Sequence, residues 1–498
     1  MLGTYITFPE LLIWLPLLAG VACFFAKKEQ AAKAIALLGS LLVLSVSIVT
    51  LFYTDNTQYG SYNQVNYIWL KYIGNSFNIG LDGYGRMLTF LTALSFPIIF
   101  LATYRNTYKR SSVFYGLMLL TQCGLMGVFC AKDALLFYFF WELALIPVYF
   151  LCSIWGGEKR IQTTFKFFVY TFTGSLLMLT GIIYVYLQTS GRVFEDGTVV
   201  SHSFAMTAFY KANLTWADQN WLFWLFFVAF AIKMPIFPFH TWQPDTYDQA
   251  PTGVTMVLSG IMVKMGLFAV LRWLIPIFPE ASTKYTHIVV ALSVIGIIYA
   301  SCLAMVQDNL KKLVAYSSIA HIGLMCASIF AMNIFSVQGM MLQMFNHGIN
   351  IIGLWIVVDL LEKKTGIKQI SQLGGVATKA PVLTIMLVII ALANIALPLT
   401  NAFAGEFLMF SGLYQYSGWM TAAAGIGIIL SAVYTLNMIQ KIFYGEIVPA
   451  TASVQDIAWN EKLVLGLIVC IIFVSGVYPQ PVIDLTKNAA TELVKLFN

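Results

Sequence analysis

Glu142, Lys233, Lys264 and Glu406 fall well inside long apolar runs, alone among the 28 basic and 22 acidic residues of the chain. An unpaired charge at the centre of a bilayer costs about 2.5–3.5 kcal/mol, so four together cost on the order of 10 kcal/mol. That sum is comparable with the net stability of a whole domain. Two histidines, His321 and His347, sit near the middle of two further runs. The six groups lie on six different segments at similar depth, which describes a row parallel to the membrane plane rather than a pore across it. Such a row suits proton transfer. A carboxylate beside a buried lysine favours its charged form, and moving the partners apart favours release of the proton. A Glu142–Lys233 pair therefore has the makings of a switch. Histidine accepts on one ring nitrogen and donates from the other. Tyr138, Asn346 and Thr173 lie close enough in sequence to join a hydrated path, and His240 is placed either to join it or to cap main-chain carbonyls.

The elements that must position these groups are membrane helices. Apolar runs of about 20 residues span a ~30 Å hydrocarbon core. Polar punctuation divides the chain into fourteen, at 5–25, 34–53, 87–104, 112–130, 134–155, 164–187, 220–240, 251–275, 286–306, 312–331, 336–361, 381–416, 419–444 and 462–478. Span 7 contains Pro235 and Pro238, and the overlong span 12 contains Pro398, Thr400 and Asn401. Proline removes a helical hydrogen bond and clashes with the preceding turn. Freed main-chain groups at membrane depth persist only where protein or a wet cavity satisfies them. Two such breaks, each in the fourth of five helices, point to an all-α fold of two inverted repeats, 112–275 and 286–444, within one membrane domain. The first run lacks a basic leader and a small-residue cleavage site, so it reads as a retained helix.

Composition excludes the other classes. Charged residues are 10% and hydrophobic ones 59% of 498, against about 25% charged in soluble domains. The net charge of +6 forms no nucleic-acid-binding patch and divides by side instead. Loops after odd-numbered spans and their flanks carry 17 basic and 10 acidic residues, the other side 9 and 10. The positive-inside rule then places both termini away from the cytoplasm. Seven scattered cysteines form no C-x-x-C pair, and no glycine-rich nucleotide motif is present, so no metal or cofactor is expected in this chain.

Several stretches resemble a known family. These are Phe-Trp-Glu-Leu-Ala-Leu-Ile-Pro-Val-Tyr-Phe-Leu at 140–151, Lys-Met-Pro-Ile-Phe-Pro-Phe-His-Thr-Trp at 233–242, and Val-Lys-Met-Gly at 263–266. Ser-Ser-Ile-Ala-His-Ile-Gly at 317–323 and Gly-Glu-Phe at 405–407 continue the pattern. Together they resemble the antiporter-like subunits of respiratory complex I, over about residues 80–440. Glu rather than Lys at 406, Lys264 in its Val-Lys-Met-Gly setting, and the lack of a long lateral helix after span 14 are similar to the M-type (subunit 4 type) branch. The resemblance implies a proton-translocating membrane-arm subunit of an NADH:quinone oxidoreductase. Glu142 and Lys233 would be its modulating pair, Lys264 and His321 its central relay, His347 a bridge and Glu406 the terminal donor or acceptor. FMN, iron–sulfur clusters and quinone would belong to partner subunits, among which L- and N-type neighbours are implied, in a bacterial inner membrane. One departure stands out. The family follows the first break with Trp-Leu-Pro-Asp-Ala-His, whereas this chain has Trp-Gln-Pro-Asp-Thr-Tyr at 242–247, leaving Tyr247 or Asp248 as substitutes for the missing histidine. Two other readings stay open: a subunit of a cation/proton antiporter or membrane-bound hydrogenase of the same fold, and a scaffold whose charges only lock helices together.

Overall fold

A computed structural model describes residues 6–53, 62–193 and 199–497; the expected start of the first span, residue 5, lies outside them. Eleven helices are by themselves long and apolar enough to cross a membrane. Three further crossings complete fourteen among the described residues. One is the short helix Phe8–Phe24, and the other two are the interrupted spans 7 and 12. Single prolines inside Phe8–Phe24, Gly83–Ala102 and Ala134–Trp155 leave those helices continuous. Proline alone does not decide where a span breaks.

Burial sorts the spans into an inner and an outer set. Span 8 (Thr252–Ile277) and span 11 (Ile334–Thr365) are buried along their whole apolar windows, and span 10 (Leu310–Phe330) over 94% of it. Span 14 (Trp459–Val477) is buried over only 28% and presents leucine, valine and phenylalanine outward, as a lipid-facing helix does. Lys264, His321 and His347 therefore sit on the three innermost helices.

Span 7 is built from Trp216–Lys233, a break, and Trp242–Gln249. Span 12 is built from Pro381–Asn394, a break, and Asn401–Tyr416. In the second break Ala396 and Leu399 take φ of 57° and 73°. Left-handed geometry at residues bearing a Cβ costs of order 1–3 kcal/mol each and persists only where the surroundings hold it. The two broken helices run in opposite directions across the membrane.

Three elements were not legible in the loops. Strands β1 (Gln64–Leu70) and β2 (Asn75–Gly80) form an antiparallel hairpin with Val65 opposite Ile79. Its turn needs Gly74, whose φ is +65°. The buried Asp133 carboxylate fixes it to span 5 (Ala134–Trp155): it accepts from Asn75 Nδ2 at 2.7 Å and Ser76 N at 3.2 Å while capping Leu135 and Leu136. A final helix, Gln480–Val494, packs across spans 3 and 11 on the same face of the molecule.

Candidate functional site

Span 8 is not a plain α-helix. Two π-turns, Leu258–Met262 and Val270–Leu274, flank Lys264, and such bulges recur at functional positions in helices. In the first, Val263 N reaches back five residues to Leu258 O at 3.2 Å, and the Ser259 carbonyl accepts from Lys264 Nζ at 2.8 Å. The same ammonium lies 2.8 Å from His347 Nδ1 on span 11. Span 11 comes this close because residue 348 is glycine: a Cβ there would lie 3.0 Å from Gly260 O. A charged Lys264 makes Nδ1 of His347 the acceptor and leaves the imidazole proton on Nε2.

From His347 the row continues. Its ring centroid is 5.5 Å from that of His321 on span 10. His321 Nδ1 is 3.3 Å from Glu406 Oε1, one turn beyond the second break. Lys264, His347, His321 and Glu406 thus form one contiguous line across four helices, all at most 8% exposed. Beside its far end a cavity of about 20 Å³ is lined by His321, Glu406, Ser431 and Tyr434, enough for one water.

Glu142 and Lys233 stand differently. Glu142 on span 5 lies near Lys233 and beside Ser175, yet no ion pair within 4.0 Å joins the two. Lys233 Nζ has no hydrogen-bond partner and lies 5.6 Å from the Trp141 ring centroid. It is the last residue of Trp216–Lys233, held against span 8 by Gly266, whose Cβ would meet Met234 Cβ at 2.7 Å and Phe230 O at 2.8 Å. The structure brings the pair together without closing it.

Main-chain groups freed by the breaks find partners that sequence reading missed. In span 7, Trp242 Nε1 donates to Ile232 O at 2.9 Å and Lys166 Nζ to Thr241 O at 2.9 Å. His240 caps no carbonyl; its ring packs near Phe237 and Tyr299, with Nδ1 unpartnered. In span 12, Asn346 Nδ2 donates to Asn401 O at 2.7 Å, and Asn350 and Asn401 exchange two amide bonds of 3.0 Å. Gln343 Nε2 reaches Glu406 Oε1 at 3.3 Å. Gln343, Asn346, His347 and Asn350 recur at spacings of three and four, so span 11 presents one polar stripe to the second break. That periodicity is visible in the sequence. Thr173 drops out of the path: it is exposed, and the neighbouring buried Ser175 faces Glu142 instead.

At the departure after the first break, Asp248 is engaged by Asn309 Nδ2 at 2.9 Å and Lys368 at 3.5 Å. Tyr247 is buried between Trp242 and Trp355 with its hydroxyl unpartnered. The buried Gln243, one turn earlier on the same short helix, also leaves both amide atoms unpartnered. Below them opens a cavity of about 570 Å³ in which Asp245 bridges Lys166 at 2.9 Å and Lys312 at 3.2 Å. Among the described residues no three His, Cys, Asp or Glu side chains converge to hold a metal ion.

Comparison with known proteins gives the family and the fold. A family model described as NADH:quinone oxidoreductase/Mrp antiporter, transmembrane, matches residues 131–431. The NADH-quinone oxidoreductase subunit M of Rickettsia felis is 34% identical, covering 97% of this chain and 98% of its own. The F(420)H(2) dehydrogenase subunit M of Methanosarcina mazei is 30% identical, with 98% of each chain covered. Among solved structures, a chain of respiratory complex I from Thermus thermophilus with bound NADH superposes with a TM-score of 0.89 at 28% identity, covering 98% of this chain and 99% of that one. A chain of the Mrp complex from Dietzia superposes at 0.85 with 18% identity over 99% of both, which shows a shared fold. The chain belongs to the NADH:quinone oxidoreductase/Mrp antiporter transmembrane family.

Proposed function

We propose that this chain moves protons through Glu142, Lys233, Lys264, His347, His321 and Glu406 as a membrane-arm subunit of a proton-translocating NADH:quinone oxidoreductase. The observation that carries the reading is the row from Lys264 to Glu406, with Lys264 on His347 at 2.8 Å, His321 on Glu406 at 3.3 Å and the two imidazoles neighbours at 5.5 Å, all groups that both accept and donate protons. A scaffold needs closed pairs, because an unpaired buried charge is destabilising. Lys233 and Glu142 are left open, the condition a switch requires. Relatives of matching length include subunit M of NADH-quinone oxidoreductase, so the chain works beside other membrane-arm subunits. The reading keeps FMN, iron–sulfur clusters and quinone in those partners and assigns this chain no cofactor. It divides the helices into inverted units 112–275 and 286–444. It also sets both termini on the non-cytoplasmic side, so that protons enter from the Asp245 cavity past Gln243 and Tyr247.

The test uses the whole complex in proteoliposomes. Lys233→Ala and Glu142→Ala each abolish or severely impair NADH-driven proton uptake while the complex still assembles. Normal pumping by both refutes the assignment. Replacing Glu142 and Lys233 together by leucine separates pump from scaffold, since a scaffold keeps both assembly and transport.

A further inference from the structure

On the face that carries the hairpin, away from the proton row, lies a cavity of about 670 Å³. Its walls are the start of span 3 (Gly83–Ala102), the last turns of span 8 and the C-terminal helix Gln480–Val494. Leu271, Leu485 and Leu493 make much of it apolar. In the polar lining Asp82 neutralises Arg272 at 2.6 Å, and Glu492 pairs with Lys495 at 2.7 Å. The lining's own formal charges cancel, but Glu492 is taken by Lys495 outside it, and Arg86 is left as the cation of the lining with no ion pair among the described residues. Three of its buried polar atoms lack a partner: Tyr84 Oη, Arg86 Nε and Arg272 Nε. All three are able to donate, and the Tyr84 side chain is 5% exposed. Idle buried donors in a native fold call for an acceptor.

The surroundings identify that acceptor. The cavity lies where spans 3 and 8 reach the membrane surface, and the amphipathic C-terminal helix covers it as an interfacial helix would. A ligand that fits has one negative group for Arg86 and a hydrocarbon part for the leucines. We propose that the cavity binds one anionic phospholipid, its phosphate at Arg86 and Tyr84 and an acyl chain between the C-terminal helix and span 8. Leu271 and Arg272 belong to the second π-turn of span 8, the helix that carries Lys264. The lipid would brace that turn from outside the relay, and the site stands whether or not the relay reading holds.

The experiment labels the intact complex in nanodiscs with photoactivatable phosphatidylglycerol or phosphatidylcholine and maps the adducts. Phosphatidylglycerol labels peptides covering residues 81–86 and 485–496 in preference to phosphatidylcholine by roughly ten-fold, because both offer the same phosphate but the choline ammonium sets a second cation beside Arg86. Arg86→Gln reduces that preference to parity, Arg86→Lys keeps part of it, and Ala489→Phe, which sets a ring into the cavity, lowers both adducts. Equal labelling by the two lipids in the wild-type complex overturns the proposal, as does a preference that survives Arg86→Gln or an absence of adducts at these peptides. The wild-type comparison decides by itself if a variant fails to assemble.

Discussion

Asn350 offers the sharpest test of how the second break is held. Its amide and that of Asn401 exchange two hydrogen bonds of 3.0 Å, and both residues are at most 1% exposed. Asn350→Leu strands Oδ1 and Nδ2 of Asn401 inside the protein. Each stranded buried polar atom costs about 1–3 kcal/mol, so the variant loses about 2–6 kcal/mol at this position. That is a sizeable part of the ~5–15 kcal/mol that keeps a domain folded. The Asn346 bond to Asn401 O is untouched, so the helix start stays tethered while its side chain is orphaned. Leucine at both positions removes donor and acceptor together, and matched apolar replacement is nearly neutral. Thermal unfolding of the complex in nanodiscs therefore shows a large drop in midpoint for Asn350→Leu and recovery of at least half of it in the Asn350→Leu/Asn401→Leu double variant. Proton uptake falls in both, because Asn401 sets the start of the helix that carries Glu406 one turn later. A single variant as stable as wild type, or a double variant worse than the sum of both singles, refutes the argument that this amide pair holds the second break.

Two further outcomes follow from the geometry. Gly266→Val drives a branched side chain into Met234 and Phe230 O, where a Cβ alone comes within 2.8 Å; the complex should assemble poorly, read as the amount recovered by affinity purification, whereas Gly425→Ala, which meets nothing within 4 Å, is recovered normally. Asp456 lies in the loop before span 14 and caps the first half of span 12, accepting from Val382 N at 2.9 Å and Leu383 N at 3.1 Å. Burial opposes ionisation there, but the N–H groups of Val382, Ile457 and Leu383 outweigh it and hold the carboxyl below its usual range. A depressed carboxyl pKa stabilises the fold above the unfolded value and loses that contribution as pH falls through the folded value. Asp456→Ala thus costs about 1 kcal/mol at pH 7, and melting curves of variant and wild type converge as the pH is lowered below about 4.

The fourteen spans, both breaks and the six ionisable groups were legible in the sequence, because apolar run length and the rarity of buried charge are properties of residue type. The polar stripe of span 11 was legible too, but its meaning needed a partner: nothing local says that Asn346 and Asn350 face Asn401 some fifty residues away. Thr173 and Ser175 show the limit, since two hydroxyls in one turn differ only in which side of the helix meets protein.

What the sequence by itself determined is a helical membrane protein with charge stranded at mid-depth, since the price of burying charge does not depend on fold. The tertiary structure alone decided the order of the row. His347 stands between Lys264 and His321 because glycine at 348 lets spans 8 and 11 touch and a π-turn aims the lysine across. Glu142 and Lys233 remain apart because their helices set the spacing. The hairpin, the terminal helix and the donor-lined cavity between distant segments lay beyond local patterns, because each exists only through contacts made by residues far apart in the chain.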